Sequence, residues 1–481
     1  MTSRAELVIG TATVSADDGE TTTVRNPADQ TIVGYVPVAD AGVVDEAVES
    51  AAEAFPGWAA LTADRRGGHL SAIAGWIRSN APRLARTLTL EQGKPGSEAA
   101  SEVAAAARAF DYYAAQAVRV YGQTIPTESA TLRSIVLRQP FGVVAAITTW
   151  NYPLGLMAWK IAPALAAGCT VVAKPAEETP LTVLELVRGA REAGLPPGVL
   201  NSVHGNGATT GSWLAGHPKV TKISFTGGTS TGRRLLELAA RDIKSVTLEL
   251  GGHSPMIVAA DAPLDLAVPD GVKRSFRNAG QLCNSVNRIF VVRSVADEFI
   301  ERFTKQAARL VTGPGYADPE PDVGPLTNAR TLHRVERHVA DARERGAQVL
   351  LGGSRAEDLG DGFFYPPTVV VGGEDMLMLR EETFGPVAPI LVVDDLEEAV
   401  ARANALDFGL VCYLYTRDLR TSVESAERLE FGTVNVNNVG GGDVLFPYSG
   451  WKQSGLGVEL AHEGLQEYLR VKNVRIEIGY R

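Results

Sequence analysis

The spacing of apolar residues changes near Gly142. Before it, alanine-rich stretches at 44–60 and 98–118 place apolar residues at helical intervals and bracket the segment DRRGGHLSAIAGWIRSNAPRLARTLTLEQG. The N-terminal part is therefore predicted to be helical. Beyond Gly142, short β-branched runs alternate with longer amphipathic ones, the pattern of βαβ units around a parallel sheet. Strands are predicted at VVAAITT, TVVAK, LNSVH, KISF and SVTLEL, with helices at LGLMAWKIAPALAAG, PLTVLELVRGAREAG, ATTGSWLAG and STGRRLLELAARD between them. Proline, glycine or threonine bounds each helix, and Thr179-Pro180 is expected to cap the second. The result is an α/β chain with a doubly wound, Rossmann-like parallel sheet of five strands. Strand-like alternation also occurs in VLRQ and at Val474, Ile476 and Ile478.

Composition narrows the class. A chain of 481 residues, 45% hydrophobic and 21% charged, is expected to form two or three packed globular units. The start MTSRAELVIG has no apolar core for a signal peptide, and no run approaches the length of a membrane helix, so a cytoplasmic location away from membranes is expected. Three cysteines are too few for a disulfide framework. The formal charge of −10 argues against nucleic acid and points to a small-molecule partner. Seven scattered histidines, without CxxC or HExxH spacing, give no metal site; His333 and His338 read as a solvated helix face.

Candidate chemistry gathers at the carboxyl ends of the predicted strands, where open α/β sheets bind ligands. Thr149-Trp150-Asn151-Tyr152-Pro153 follows the first strand, Lys174-Pro175-Ala176-Glu177 the second, and Gly205-Asn206-Gly207 the third. FTGGTSTG follows the fourth, and LELGGHSP ends the fifth. Gly227 to Gly232 reads either as a cradle of backbone amides for a pyrophosphate or as a tight strand-to-helix turn, since its spacing matches neither GxGxxG nor a P-loop. Glu177 suits a pair of ribose hydroxyls and would repel a 2′-phosphate, favouring NAD over NADP; with Lys174 it reads equally as a solvated pair at a helix start. Asn151 is a turn residue or a donor to an oxyanion.

Two reactive groups remain, Glu249 in LELGGHSP and Cys283 in NAGQLCNSVNR. Cys169 and Cys412 sit in apolar runs and read as buried small hydrophobes. Cys283 lies in a polar, glycine-containing segment, where nearby dipoles can hold a thiolate. A thiol nucleophile with a carboxylate base suits covalent chemistry on a carbonyl. The residues alone leave Cys283 open between that role and a structural one.

The ordered motifs NPADQTIVGYVP, TTWNYP, WKIAPALAAGCTVVAKPAEETP, FTGGTSTG, LELGGHSP, GQLCNSVNR, EETFGPV and PYSGWKQSGLGVELAHEGLQEYL span the chain. In that order they resemble the aldehyde dehydrogenase superfamily, of the hydrolytic, NAD(P)-dependent kind. The resemblance implies that Cys283 is the nucleophile, Glu249 the base, and Asn151, with the Cys283 N–H, the oxyanion hole. Lys160 and Glu459 match residues of a proton relay, although Lys160 is equally open to a structural role. Lys174 and Glu177 match adenosine-ribose contacts, Gly227 and Gly232 the pyrophosphate turn, and Glu382 and Phe384 the nicotinamide-ribose contact and its packing partner. Thr149, Trp150, Ala176, Gly207, Phe225, Gly228, Leu250 and Gly251 complete the implied cofactor set. Tyr152, Leu156, Trp159, Leu282, Asn284 and Tyr448 match the aldehyde tunnel. Being mostly apolar and aromatic, with no arginine for a second carboxylate, this set favours an apolar or aromatic aldehyde.

By the same resemblance, residues 1–118 and 140–250 form the NAD-binding domain and 251–455 an α/β catalytic domain. Residues 119–139 and 467–481 form a small β arm that assembles a homodimer or homotetramer. Departures from the family pattern occur at Ala176, Gly228, His253, Ser449 and Val458. Two alternatives stand beside aldehyde oxidation to the acid: a CoA-acylating dehydrogenase, which the carboxylate of Glu249 disfavours, and a catalytically silent ligand-binding relative, for which Cys283, Glu249 and Asn151 would serve no purpose.

Overall fold

The computed structural model describes residues 3–17, 19–373 and 375–479. All five expected strands form, at Val143–Ile147, Thr170–Lys174, Leu200–Ser202, Val220–Thr226 and Ser245–Glu249. They are mutually parallel, and in space the third lies beside the second, then the first, fourth and fifth. That is the order of a doubly wound sheet, whose ligand crevice opens at the carboxyl ends of the strands. A sixth strand, Gly455–Leu456, joins antiparallel to Ser245–Glu249 from far along the chain. Two residues carry no periodicity, so nothing in the sequence announced it.

The N-terminal part is not wholly helical. Short strands, among them Thr21–Arg25 and Ile32–Pro37, precede the helices Ala41–Ala60, Ala63–Ser79, Ala81–Gln92 and Gly96–Gln116. β-Branched residues in TTTVR and IVGYVP favour this antiparallel pair, a local signal that the alanine-rich helices masked.

The helix Pro153–Ala167 runs through the main apolar cluster with almost every side chain buried. Its N-terminal amides, Leu154 N and Gly155 N, each donate at 3.0 Å to Glu102, which is paired with buried Lys94. A carboxylate at that position satisfies two orphan donors and complements the helix dipole. The next helix, Leu181–Glu192, is capped in the same way by Glu91, which accepts from Leu181 N and Thr182 N. Thr179-Pro180 supplies no cap, contrary to expectation, because the Thr179 hydroxyl donates instead to the Trp150 carbonyl.

A second sheet of seven strands carries the later half of the chain. Its central strands, Ser254–Val258 and Val286–Val292, pair in parallel and bury every side chain. Burial of both faces of these strands suits a sheet covered on both sides. A separate three-stranded antiparallel sheet joins Gln123–Ile125, Leu132–Pro140 and Leu469–Glu477. Among the described residues, no helix is long and apolar enough to cross a membrane.

Candidate active site

A cavity of about 890 Å³ lies where the carboxyl ends of the first sheet meet the loop preceding Val286–Val292. Cys283, Glu249 and Asn151 all line it. The loop that carries Cys283 is unusual: Asn278, Ala279 and Gly280 have φ of 49°, 54° and 71°, three successive residues in the left-handed region. Such strain for residues with side chains persists only where surroundings fix it. Here Gln281 is held at both ends, its amide donating to the Asn278 carbonyl at 2.9 Å and its Oε1 accepting from Thr327 N at 2.9 Å. Gly280 is required as well, because a Cβ there would lie 2.1 Å from the Gly385 carbonyl oxygen. Gly252 plays the matching part on the Glu249 side, since its Cβ would lie 2.2 Å from the Cys283 carbonyl oxygen. The two glycines let the nucleophile loop and the end of the Ser245–Glu249 strand approach backbone to backbone.

Cys283 is partly exposed to the cavity, whereas Cys169 and Cys412 are fully buried, as expected. The thiol is not, however, held as thiolate by dipoles. Burial, and then the charge of Glu249, push it well above its usual range. Glu249 itself is raised to about 8 by burial and by the charge of Glu459, with Lys160 acting in opposition. Neither of its carboxylate oxygens has a hydrogen-bond partner among the described residues. A buried, unpartnered carboxyl titrating near neutrality, beside a thiol, is suited to collecting protons from it or from water.

Asn151 Nδ2 donates to the Gln281 carbonyl at 3.0 Å, which orients the amide and leaves its second N–H available. The Asn151 carbonyl accepts from Lys94 Nζ at 2.9 Å and from Asn278 Nδ2 at 3.1 Å. Lys94, which also lies 3.6 Å from the centre of the Tyr152 ring, and Glu102 thus brace the residue that faces the cavity. Neither is singled out by the sequence, where a lysine in a turn and a glutamate in a helical stretch look like surface charges. Lys160 and Glu459 form a buried ion pair at 2.5 Å, with Lys160 also donating to Thr226 at 2.7 Å. They sit behind Glu249 and do not line the cavity.

Of the expected cofactor contacts, all but Gly232 line the cavity. Gly232 instead faces Leu250, whose side chain a Cβ would meet at 2.7 Å. A Cβ on Gly228 would meet nothing within 4 Å, so the start of the helix Thr229–Ala240 is open to a phosphate. Glu177 Oε1 accepts from Gly207 N at 2.8 Å, and buried Lys174, lowered to about 8 by burial, donates to the Pro175 carbonyl. Trp150 and Phe384 meet edge to face with centres 5.4 Å apart. Glu382 is half-buried, raised to about 8 mainly by desolvation, and its buried Oε1 lacks a partner among the described residues. An unsatisfied buried carboxyl oxygen at one end and an uncovered helix start at the other suit a long polar ligand such as a dinucleotide.

All six residues expected in the tunnel line the cavity, but the expectation of a wall without arginine is corrected. Arg274 and Arg277 line it too. Arg274 is committed to the Asn284 side-chain oxygen and the Val439 carbonyl. Arg277 has Glu98 as its ion-pair partner, at 3.8 Å. Their signal is present in the run KRSFRNAG, which leads into the nucleophile loop, whereas the motif read for Cys283 begins only at Asn278. His338 is a further correction: it is fully buried and hydrogen-bonded to Thr383 at 3.0 Å, and only His333 is on the solvated face. One acid and histidine cluster outside the site, Asp45, Glu49 and His217, is neutralised within the chain, as Lys219 pairs with Glu49.

Comparison with known proteins agrees with this geometry. The family described as "Aldehyde dehydrogenase family" matches residues 13–474. A succinate-semialdehyde dehydrogenase [NADP(+)] of Escherichia coli strain K12 is 42% identical over 98% of this chain and 97% of its own length. A 3-sulfolactaldehyde dehydrogenase of Pseudomonas putida is 42% identical over 96% of this chain and 94% of its own. An NAD+ complex of an aldehyde dehydrogenase from Bacillus cereus superposes with a TM-score of 0.96 at 36% identity, covering 99% of this chain and 97% of that one. The chain belongs to the aldehyde dehydrogenase family, as an NAD(P)-dependent oxidoreductase acting on aldehydes.

Proposed function

We propose that this enzyme oxidises a short aldehyde bearing a terminal acid group to the corresponding carboxylic acid, through a thioester on Cys283. The observation that carries the covalent part is the convergence of Cys283, Glu249 and the oriented Asn151 amide on one cavity. The Cys283 thiol gives up its proton to water, and the sulfur adds to the aldehyde carbon to give a thiohemiacetal. The Asn151 amide and the Cys283 N–H hold its oxyanion. Gly228 and Glu382 would help to hold the nicotinamide cofactor, which when bound would accept the hydride that the thiohemiacetal loses in becoming the thioester. Glu249 then takes a proton from water as that water attacks the thioester, and the Cys283 sulfur leaves. The Lys160 and Glu459 pair is placed to exchange protons with Glu249 from behind.

Arg277 supports the acid-bearing substrate, because it lines the same cavity as Cys283 and its ion pair with Glu98, at 3.8 Å, is long. Relatives named for succinate semialdehyde, glutarate semialdehyde and 3-sulfolactaldehyde, each an aldehyde with an acid at its far end, point the same way. A charge-assisted contact of this kind corresponds to roughly 10- to 100-fold in affinity. Arg277→Gln is therefore expected to raise KM for semialdehyde acids by about that factor while leaving kcat/KM for an uncharged aldehyde of similar length within about threefold. Equal losses on both substrates, or faster turnover of aromatic aldehydes by the parent, would refute the assignment.

Glu177 supports NAD over NADP, because a 2′-phosphate beside its carboxylate meets like charge. The parent is expected to show the higher kcat/KM with NAD, and Glu177→Ser to narrow the ratio by about tenfold. A parent that already prefers NADP ends this reading. A domain division at 118, 140, 250 and 455 is proposed as well, supported by the presence of separate sheets, and the arm is proposed as the assembly surface of a homodimer or homotetramer. Exposure of Val471 and Ile476 on Leu469–Glu477 supports that assignment.

A further inference from the structure

We propose that the Tyr448 hydroxyl is a catalytic hydrogen-bond donor to the Cys283 sulfur, holding the thiolate for attack, and not only a wall of the aldehyde tunnel. The proposal rests on Cys283 being the nucleophile. Tyr448 Oη lies 3.5 Å from Cys283 Sγ, within hydrogen-bond reach of a sulfur. Nothing about this placement is loose. The Tyr448 backbone is clamped to Glu459 by two hydrogen bonds of 2.8 Å, and its buried ring meets Trp159 edge to face at 6.0 Å.

The direction of donation follows from the surroundings. Burial, then the charges of Cys283 and Glu249, push the Tyr448 phenol well above its usual range, so it stays protonated. A protonated phenol beside a thiolate has one hydrogen to give, and the sulfur is its partner. The other groups that bear on the sulfur oppose its charge: burial, then the carboxyls of Glu249 and Glu382. Tyr413, whose hydroxyl donates to the Asn284 carbonyl at 2.8 Å, is committed elsewhere, and the Asn151 amide, with one N–H on the Gln281 carbonyl, is assigned to the substrate oxyanion. Tyr448 is thus the side chain placed to offset that cost. When the thiol gives up its proton to water, the thiolate left behind accepts from Tyr448. Once sulfur bonds to carbon, the charge moves to the substrate oxygen and this contact weakens. Relative to the thiol, the hydroxyl therefore favours the thiolate and raises the fraction of sulfur able to attack.

Alkylation of Cys283 by iodoacetamide, followed against pH without aldehyde or cofactor, tests this directly, because Cys169 and Cys412 are fully buried. Tyr448→Phe keeps the ring and removes the hydroxyl. It is expected to slow alkylation at pH 7.5 by about tenfold and to move the titration midpoint upward by about one unit, with the thermal midpoint and NAD affinity unchanged. Tyr448→His, which retains a donor, is expected to recover part of the rate, and Tyr448→Met to behave as Tyr448→Phe. An unshifted profile in both apolar variants overturns the proposal. Turnover that persists in Cys283→Ala would instead sink the nucleophile assignment, so the two failures are told apart.

Discussion

Cys283→Ala is expected to lower the rate of reduced-cofactor formation by roughly 10⁴-fold or more, with folding and NAD binding intact. The expectation follows from geometry. Cys283 is the one cysteine that opens onto the cavity, and its loop is held there by three left-handed residues and by Gln281. Alanine removes the sulfur without adding bulk, so a lost rate reports chemistry and not packing. The assay is nicotinamide absorbance with a semialdehyde acid, beside a thermal-shift control. Activity that survives would transfer the chemistry to another group, and Asn151 offers no nucleophile.

The second large effect separates the two halves of the reaction. Glu249→Gln keeps the shape of the side chain but cannot take a proton from water. Rapid mixing with NAD and aldehyde is expected to give a burst of about one equivalent of reduced cofactor per site, followed by a steady rate lower by roughly 10²- to 10⁴-fold. The pH dependence has a definite sign. With Glu249 raised to about 8, the base is protonated and idle below that pH and competent above it. Steady turnover limited by thioester hydrolysis is therefore expected to rise with pH through about 8 in the parent and to lose that rise in Glu249→Gln. A variant with no burst and no steady rate would show that Glu249 is needed before the thioester forms, as the base for the thiol.

Much of this was legible in the chain because period and punctuation agree. Four of the five first-sheet strands contain β-branched residues, the third, Leu200–Ser202, being the exception, and each is followed by polar or glycine-rich residues that line the cavity. What escaped has identifiable physical causes. The strand Gly455–Leu456 pairs with Glu249 across roughly half the chain, and long-range pairing leaves no local period. Glu91 and Glu102 cap helices distant in sequence, so Thr179-Pro180 looked sufficient for the first of these and no capping residue was sought for the second. Arg277 was passed over because a guanidinium near a cysteine reads as solvated charge until the fold places it in the cavity lining. The ionisation of Cys283 depends on burial, which no motif states.

The central claim is a covalent acyl group on Cys283 that waits for Glu249. It is tested most directly by mass spectrometry of the Glu249→Gln protein, quenched after mixing with NAD and a semialdehyde acid. The account predicts one added acyl mass per chain, confined to the peptide containing Cys283, and none when Cys283 is also replaced by alanine. Full reduction of one equivalent of cofactor without any such adduct would contradict it.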